Sequence, residues 1–338
     1  MKVVYMGTPD FAVNTLEAIV KAGHEVALVV TQPDKAKGRG KKLMYTPVKE
    51  KALEYNLPVA QPEKVREEAF IEELERIAPD VIVVVAFGQF LPERILNIPK
   101  YGCVNVHASL LPAYRGAAPI QWAVIDGLKE TGVTTQYMAK GMDTGDIICQ
   151  SKVALDPEET GGSLFDKLAV EGANLMLTTL EQIEAGTAKR TKQDDSRSSY
   201  AKMLTKEMGR LDFSKDAAAL ECLIRGLNPW PSAYTSVNGK SLKIYKAEVL
   251  DEQTACALIK EAEDKTASGE GKEALENLNI SGTVIAADKK SFTVRCGNGA
   301  LRIMNLQLEG KKRMDTSAFL LGYDIHLGMK LSGLENND

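Results

Sequence analysis

Apolar residues along the first half of the chain come in short β-branched runs separated by amphipathic stretches. Lys2–Met6 reads as a strand and Pro9–Ala22 as an amphipathic helix that stops at Gly23. Glu25–Thr31 is β-branched and strand-like, and a polar, basic loop spans Gln32–Thr46. Pro47–Tyr55 opens with proline at a plausible first helical position. Glu67–Ala78 reads as an acid-rich helix. Asp80–Phe87 is a continuous apolar run, the pattern of a parallel strand covered on both faces. Cys103–Ser109, Gly132–Ala139 and Asp146–Ala154 read as further strands, with helices at Ala117–Asp126 and Gly162–Glu184. This βαβ rhythm over residues 1–185 predicts an α/β domain built on a Rossmann-like, doubly wound sheet.

The pattern then changes. Residues 186–210 are rich in Lys, Thr, Gln, Asp and Ser without periodicity and read as a partly ordered linker. Residues 211–333 form a second domain. A helix at Ala217–Gly226 leads into Asn228-Pro229-Trp230-Pro231. Short strands follow at Ala233–Val237, Leu242–Val249, Gly282–Ala286, Ser291–Arg295 and Ala300–Leu306, which suggests a small OB-like β-barrel. Residues 251–278 interrupt it with eight acids and three lysines, a solvated insertion with partial helix at most.

Composition narrows the classes. A chain of 338 residues with 44% apolar and 26% charged residues is long enough for two well-buried domains. A net charge of −4 disfavours a globally basic nucleic-acid binder but leaves room for local basic patches. The five cysteines (103, 149, 222, 256, 296) are scattered without a CxxC pair. Neither a zinc site nor a disulfide framework is expected, and the cytoplasm is the expected compartment. The chain starts directly on a strand rather than on a signal peptide, and its longest apolar run is far too short to span a bilayer.

Chemistry concentrates in Cys103-Val104-Asn105-Val106-His107-Ala108-Ser109. On a strand, Asn105, His107 and Ser109 share one face. An amide, an imidazole and a hydroxyl converging at a strand's end fit a ligand site better than a core. A catalytic histidine needs a carboxylate to set its tautomer and charge. The later turn Lys140-Gly141-Met142-Asp143-Thr144-Gly145-Asp146 supplies Asp143, with Asp146 the lesser choice as a brace of the turn. The run Lys35-Ala36-Lys37-Gly38-Arg39-Gly40-Lys41-Lys42 could grip phosphates, and a second basic cluster stands at Lys311-Lys312-Arg313. Gly7-Thr8-Pro9 sits where a dinucleotide fold carries its glycine fingerprint, but has one glycine and a proline, so a dehydrogenase is disfavoured.

With the run Asn105-x-His107-x-Ser109-Leu110-Leu111-Pro112-x-Tyr114-Arg115-Gly116 and the later Asp143, the chain resembles the 10-formyltetrahydrofolate-dependent formyltransferase family. The Gly-Thr-Pro-Asp-Phe-Ala opening, the Gly-Arg-Gly-Lys-Lys loop, Asn-Pro-Trp-Pro and Gly-Lys-Lys-Arg-Met extend the likeness over nearly the full length, toward the branch acting on charged initiator tRNA. The insertion at 251–278 is longer than that pattern leads one to expect. The resemblance implies transfer of the formyl group of 10-formyltetrahydrofolate to the α-amino group of methionyl-initiator tRNA, with no metal. It implies Asn105, His107 and Asp143 as catalytic residues. It places the folate along Ala86, Phe87, Gly88, Leu91 and Met138, with Ser109, Leu110, Leu111 and Pro112 closing the site. It gives tRNA contacts to Arg39, Lys37, Lys41 and Lys42 in the loop and to Lys311, Lys312 and Arg313 in the barrel. A monomer is expected. The competing readings are a formyltransferase for a small amine, which would need neither basic loop nor barrel, and a folate- or RNA-binding module without catalysis, which would not need the Asn/His/Asp set.

Overall fold

The computed structural model describes residues 1–37, 42–266 and 277–331. The chain divides into two compact units. The first comprises residues 1–120, 129–155 and 163–202; the second comprises 121–128, 156–162 and the chain from Met203 onward.

The first unit is built on strands β1 (Lys2–Gly7), β2 (Glu25–Val30), β3 (Val59–Ala60), β4 (Val81–Val85), β5 (Cys103–His107), β6 (Glu130–Tyr137) and β7 (Ile147–Ala154). They form one sheet in the order β7-β6-β5-β4-β1-β2-β3. The five strands from β3 to β5 are parallel; β6 and β7 add an antiparallel edge. The expected Rossmann-like arrangement is present, with this mixed edge as its addition. β4 is buried at every position, as its unbroken apolar run requires when both faces are covered. On one face Val4, Met6, Leu28, Ile82 and Val84 pack against Phe70, Ile71 and Leu74 of helix α1 (Glu68–Ile77).

Gly7 pairs with Val85, and Val85 with Val106, so the carboxyl ends of β1, β4 and β5 lie side by side. Strand order reverses between β1 and β4, where open α/β sheets place ligands. Gly7 is required there, because a Cβ would press on Ala12 and the Tyr5 ring. Helix α2 (Gly161–Glu184) sends Thr179 Oγ1 to within 2.7 Å of Thr135 Oγ1 on β6, which fastens it beside the strand that follows the site.

Two stretches of this unit take a more definite form than their sequence reading. At the flanks of the basic loop, Lys35–Lys37 pairs antiparallel with Lys42–Met44. Residues 191–201, read as linker, are tied down. Thr191 bridges Ile147, and Tyr200–Ala201 pairs parallel with Arg115–Gly116. Polar composition concealed this order because the partners are backbone groups and side-chain amides rather than an apolar face.

In the second unit, α3 (Ala217–Gly226) is capped by Asp216, whose side chain accepts the Ala218 N–H at 2.8 Å. It leads into β8 (Ala233–Val237), β9 (Lys240–Leu250), β10 (Val284–Ala287), β11 (Phe292–Arg295), β12 (Ala300–Leu308) and β13 (Met314–Asp315). The sheet is antiparallel in the order β8-β9-β12-β11-β10, with β13 on β12. Among the described residues no ladder joins β8 to β10, so the OB-like character rests on strand number and order. Leu220 and Ile224 of α3 join Leu242, Ile244, Phe292, Leu301 and Ile303 in its core. The described part of the acidic insertion carries the partial helix expected of it. Residues Glu252–Thr266 form a helix, α4, whose Ala255 and Ile259 pack against Leu278, Ile285 and Ala300. Glu252 anchors its first turn, accepting from both terminal nitrogens of Arg295 at 2.7 Å and from the Gly299 N–H at 2.6 Å.

Candidate active site

His107 ends β5 on the sheet's carboxyl edge and is 6% exposed. Its Nε2 lies 2.8 Å from the Tyr114 carbonyl oxygen. A carbonyl only accepts, so Nε2 carries the proton. Nδ1 is then the nitrogen free to gain or lose one, and it faces Asp143 Oδ1 at 3.6 Å. The turn thus brings the sequence-distant Asp143 to the histidine. Asp146 is directed elsewhere: its carboxylate accepts from Arg190 Nε at 3.3 Å.

Asp143 is held from several sides. Oδ2 accepts the Gly116 N–H at 2.9 Å, and Oδ1 accepts from Gln136 Nε2 at 3.2 Å. Its φ of 52° lies in the left-handed region that non-glycine residues rarely adopt. Gly116 has φ 112°, and a Cβ there would collide with Tyr200 and the Ala201 carbonyl. Only glycine lets the backbone N–H approach Asp143 in this way.

Asn105 shares the His107 face and is half-buried, and its side-chain amide makes no hydrogen bond among the described residues. Two donors and an acceptor are left for a ligand. Ser109 differs. It is fully buried, and its hydroxyl donates to the Ala113 carbonyl at 2.6 Å. It braces the Ser109–Pro112 turn and has no donor left over. Thr134 clamps the same turn, donating to the Ser109 carbonyl at 2.6 Å and accepting the Leu111 N–H at 3.1 Å. Gln150 Nε2 adds a donation to the Leu111 carbonyl at 2.9 Å. Leu111 is buried, while Leu110 and Pro112 are partly exposed.

Beyond β4, Ala86 and Gly88 are exposed with φ 45° and 87°. Phe87 between them turns its side chain into the core and is 2% exposed. Its carbonyl accepts from Thr8 Oγ1 at 3.0 Å and from Gln32 Nε2 at 3.2 Å, which joins the ends of β1, β2 and β4. Leu91 belongs to that core and Met138 packs on it.

Of the basic residues, Arg39 and Lys41 lie outside the described residues, and of Lys37 and Lys42 the backbone pairing alone is described. Lys311, Lys312 and Arg313 are exposed in the turn between β12 and β13. The Arg313 guanidinium lies 4.3 Å from the centre of the Tyr245 ring, and its Nε donates to Asn305. Sequence reasoning missed Gln136, Gln150 and Gln193. Gln136 could have been found, since it faces the site at the end of a predicted strand; Gln193 stands in a polar run that carries no periodicity. Among the described residues no group of three His, Cys, Asp or Glu side chains could hold a metal, and no helix is long and apolar enough to cross a membrane.

Comparison with known proteins places this geometry. Residues 1–180 match the family described as formyl transferase, and residues 203–324 match the formyl transferase C-terminal domain. A methionyl-tRNA formyltransferase of Lachnospira eligens is 55% identical over 331 residues, covering 98% of this chain and 99% of that protein. The methionyl-tRNA formyltransferase of Clostridioides difficile is 47% identical over 331 residues, covering 98% and 100%. Among solved structures, an N-formyltransferase from Helicobacter canadensis, in complex with folinic acid and dTDP-3-aminofucose, has the same fold. It superimposes with a TM-score of 0.61 at 19% identity, covering 90% of this chain and 98% of that one. Both domain matches and the near-full-length identity show that the chain belongs to the methionyl-tRNA formyltransferase family.

Proposed function

We propose that Asn105, His107 and Asp143 carry the chemistry by which this enzyme moves the formyl group of 10-formyltetrahydrofolate to the α-amino group of methionyl-initiator tRNA. The observation that supports it is the arrangement at the end of β5. An unpartnered amide stands beside a histidine whose Nε2–H is committed to Tyr114 and whose Nδ1 faces a carboxylate.

The reaction forms a bond from the amine nitrogen to the formyl carbon and breaks the bond from that carbon to the folate nitrogen. One proton leaves the amine and one reaches the folate nitrogen. As the amine attacks, negative charge develops on the formyl oxygen. A preorganised donor such as the Asn105 amide stabilises that charge, worth about 3–4 kcal/mol in comparable sites. His107 Nδ1 exchanges the proton, and Asp143 stabilises the charged ring while it does so. In this reading the folate runs along Ala86, Gly88, Leu91 and Met138: the exposed backbone of Ala86 and Gly88 at positive φ offers N–H and C=O groups, and Phe87 contributes through its backbone. Ser109, Leu110, Leu111 and Pro112 close the site as a braced turn.

Arg39 and its lysine neighbours Lys37, Lys41 and Lys42 contact the acceptor end of the tRNA in this reading. Lys311, Lys312 and Arg313 hold its backbone, with Arg313 placed by Tyr245. In this reading the enzyme is a monomer and works in the cytoplasm, the latter in keeping with its free cysteines. The test is formyl transfer by wild type, His107→Ala and Arg39→Ala. Activity should vanish in His107→Ala with folate binding kept. Arg39→Ala should lose transfer to tRNA while still binding folate. A wild type that binds folate but leaves methionyl-tRNA unformylated points instead to a smaller amine.

A further inference from the structure

Gln193 is the one half-buried residue in a run of exposed ones. The bridge between Thr191 and Ile147 sets its register and directs its side chain onto the Asp143 turn. There its amide is fully engaged. Oε1 accepts from Arg115 Nε at 3.0 Å and Nη2 at 2.8 Å. Nε2 donates to the carbonyls of Asp143 at 2.8 Å and Gly145 at 2.7 Å, and reaches Gln136 Oε1 at 3.2 Å. Gln136 in turn donates to the Asp143 carboxylate. Two hydrogens and two lone pairs exhaust what a primary amide offers. Only one orientation works, since the reverse sets oxygen against carbonyl oxygens and nitrogen against a guanidinium.

We infer that Gln193 is a positioning residue for formyl transfer, holding Asp143 at its carboxylate's working angle to His107. This rests on the catalytic reading of Asp143. The backbone of Asp143 is in the left-handed region, a conformation that persists where its surroundings enforce it. Gln193 grips the carbonyl of that residue, and through Gln136 its carboxylate. It also ties the turn to Arg115, next to the Gly116 N–H on which Asp143 Oδ2 sits. Without these donations the turn relaxes and the carboxylate swings from His107 Nδ1.

Two substitutions separate the parts. Gln193→Glu keeps an acceptor for Arg115 but sets a carboxylate oxygen against the Asp143 and Gly145 carbonyls. Gln193→Met removes both functions at similar size. With both substrates saturating, each should lower kcat by about 100-fold, the effect of a misplacement near 1 Å. KM for folate and for tRNA, and Tm, should stay near wild type. A double-mutant cycle with Asp143→Asn distinguishes positioning from general support, because in that background Gln193→Glu should cost nothing further. Wild-type kcat in both Gln193 variants while Asp143→Asn is strongly but measurably impaired overturns the positioning role alone. A kcat loss that tracks a fall in Tm, or that persists undiminished in the Asp143→Asn background, overturns it in favour of plain structural support. A fully active Asp143→Asn overturns the catalytic reading and this inference with it.

Discussion

Asn105 and Ser109 occupy equivalent positions on either side of His107, yet tertiary structure divides their work. Ser109 gives its hydrogen to Ala113 and is sealed from solvent, whereas the Asn105 amide is left open. The two truncations should therefore separate. Asn105→Ala should lower kcat about 10²–10³-fold, the loss seen when one oxyanion donor is removed, with Tm unchanged because no internal bond is broken. Ser109→Ala should remove the bond to the half-buried Ala113 carbonyl and cost about 1 kcal/mol of stability, measured by denaturant unfolding. The alternation along β5 made the shared face legible. Which member of it keeps its polar group open was not legible, because that depends on the Ala113 carbonyl and on Thr134, neither of which alternation places.

Among the elements, the long apolar and amphipathic stretches behaved as their periodicity predicts: β4, β5, α2 and α3 lie within a few residues of their expected bounds. Those of polar composition were read only as partly helical or partly ordered, and the structure says where that order lies. The acidic insertion carries a helix because one ion pair and two apolar side chains fasten it, a handful of groups that averaged composition hides. The Glu252 carboxyl is held down to about 2, by the Arg295 hydrogen bonds first and the Gly299 N–H next. A depressed carboxyl stabilises the folded state above its ordinary value of 4.5 and loses that contribution as pH falls toward about 2. Glu252→Gln should thus lower Tm at neutral pH, and its difference from wild type should shrink over that window and vanish below it. Thermal unfolding of both proteins across the window is the measurement. A difference independent of pH would place the anchoring in packing alone.

At the scale of the whole molecule, an acidic protein that handles a polyanion must confine its positive charge. The net charge is −4, yet Lys311, Lys312 and Arg313 stand together, and the run from Lys35 to Lys42 is strongly basic. Phosphate contacts of this kind release counterions, so binding weakens with salt; two contacts imply roughly a tenfold loss for a fourfold rise in salt. The KM for tRNA should therefore climb with salt while the KM for folate stays nearly flat. Steady-state kinetics at graded ionic strength reads both, and a parallel rise would remove these clusters from tRNA binding.

Sequence by itself determined the fold class, the strand bearing Asn105 and His107, and the chemical family. Each of these is written in local periodicity or in a contiguous run of residues, which neighbouring side chains on one strand or helix express directly. Tertiary structure alone decided how Asp143, the carboxylate the sequence already favoured over Asp146, meets the histidine, and that Ser109 is a brace. It also decided that a polar stretch past α2 reaches back through Gln193 to hold the turn. Those outcomes depend on hydrogen bonds between segments far apart in the chain, whose pairing is set by sheet order and turn geometry and leaves no periodic trace.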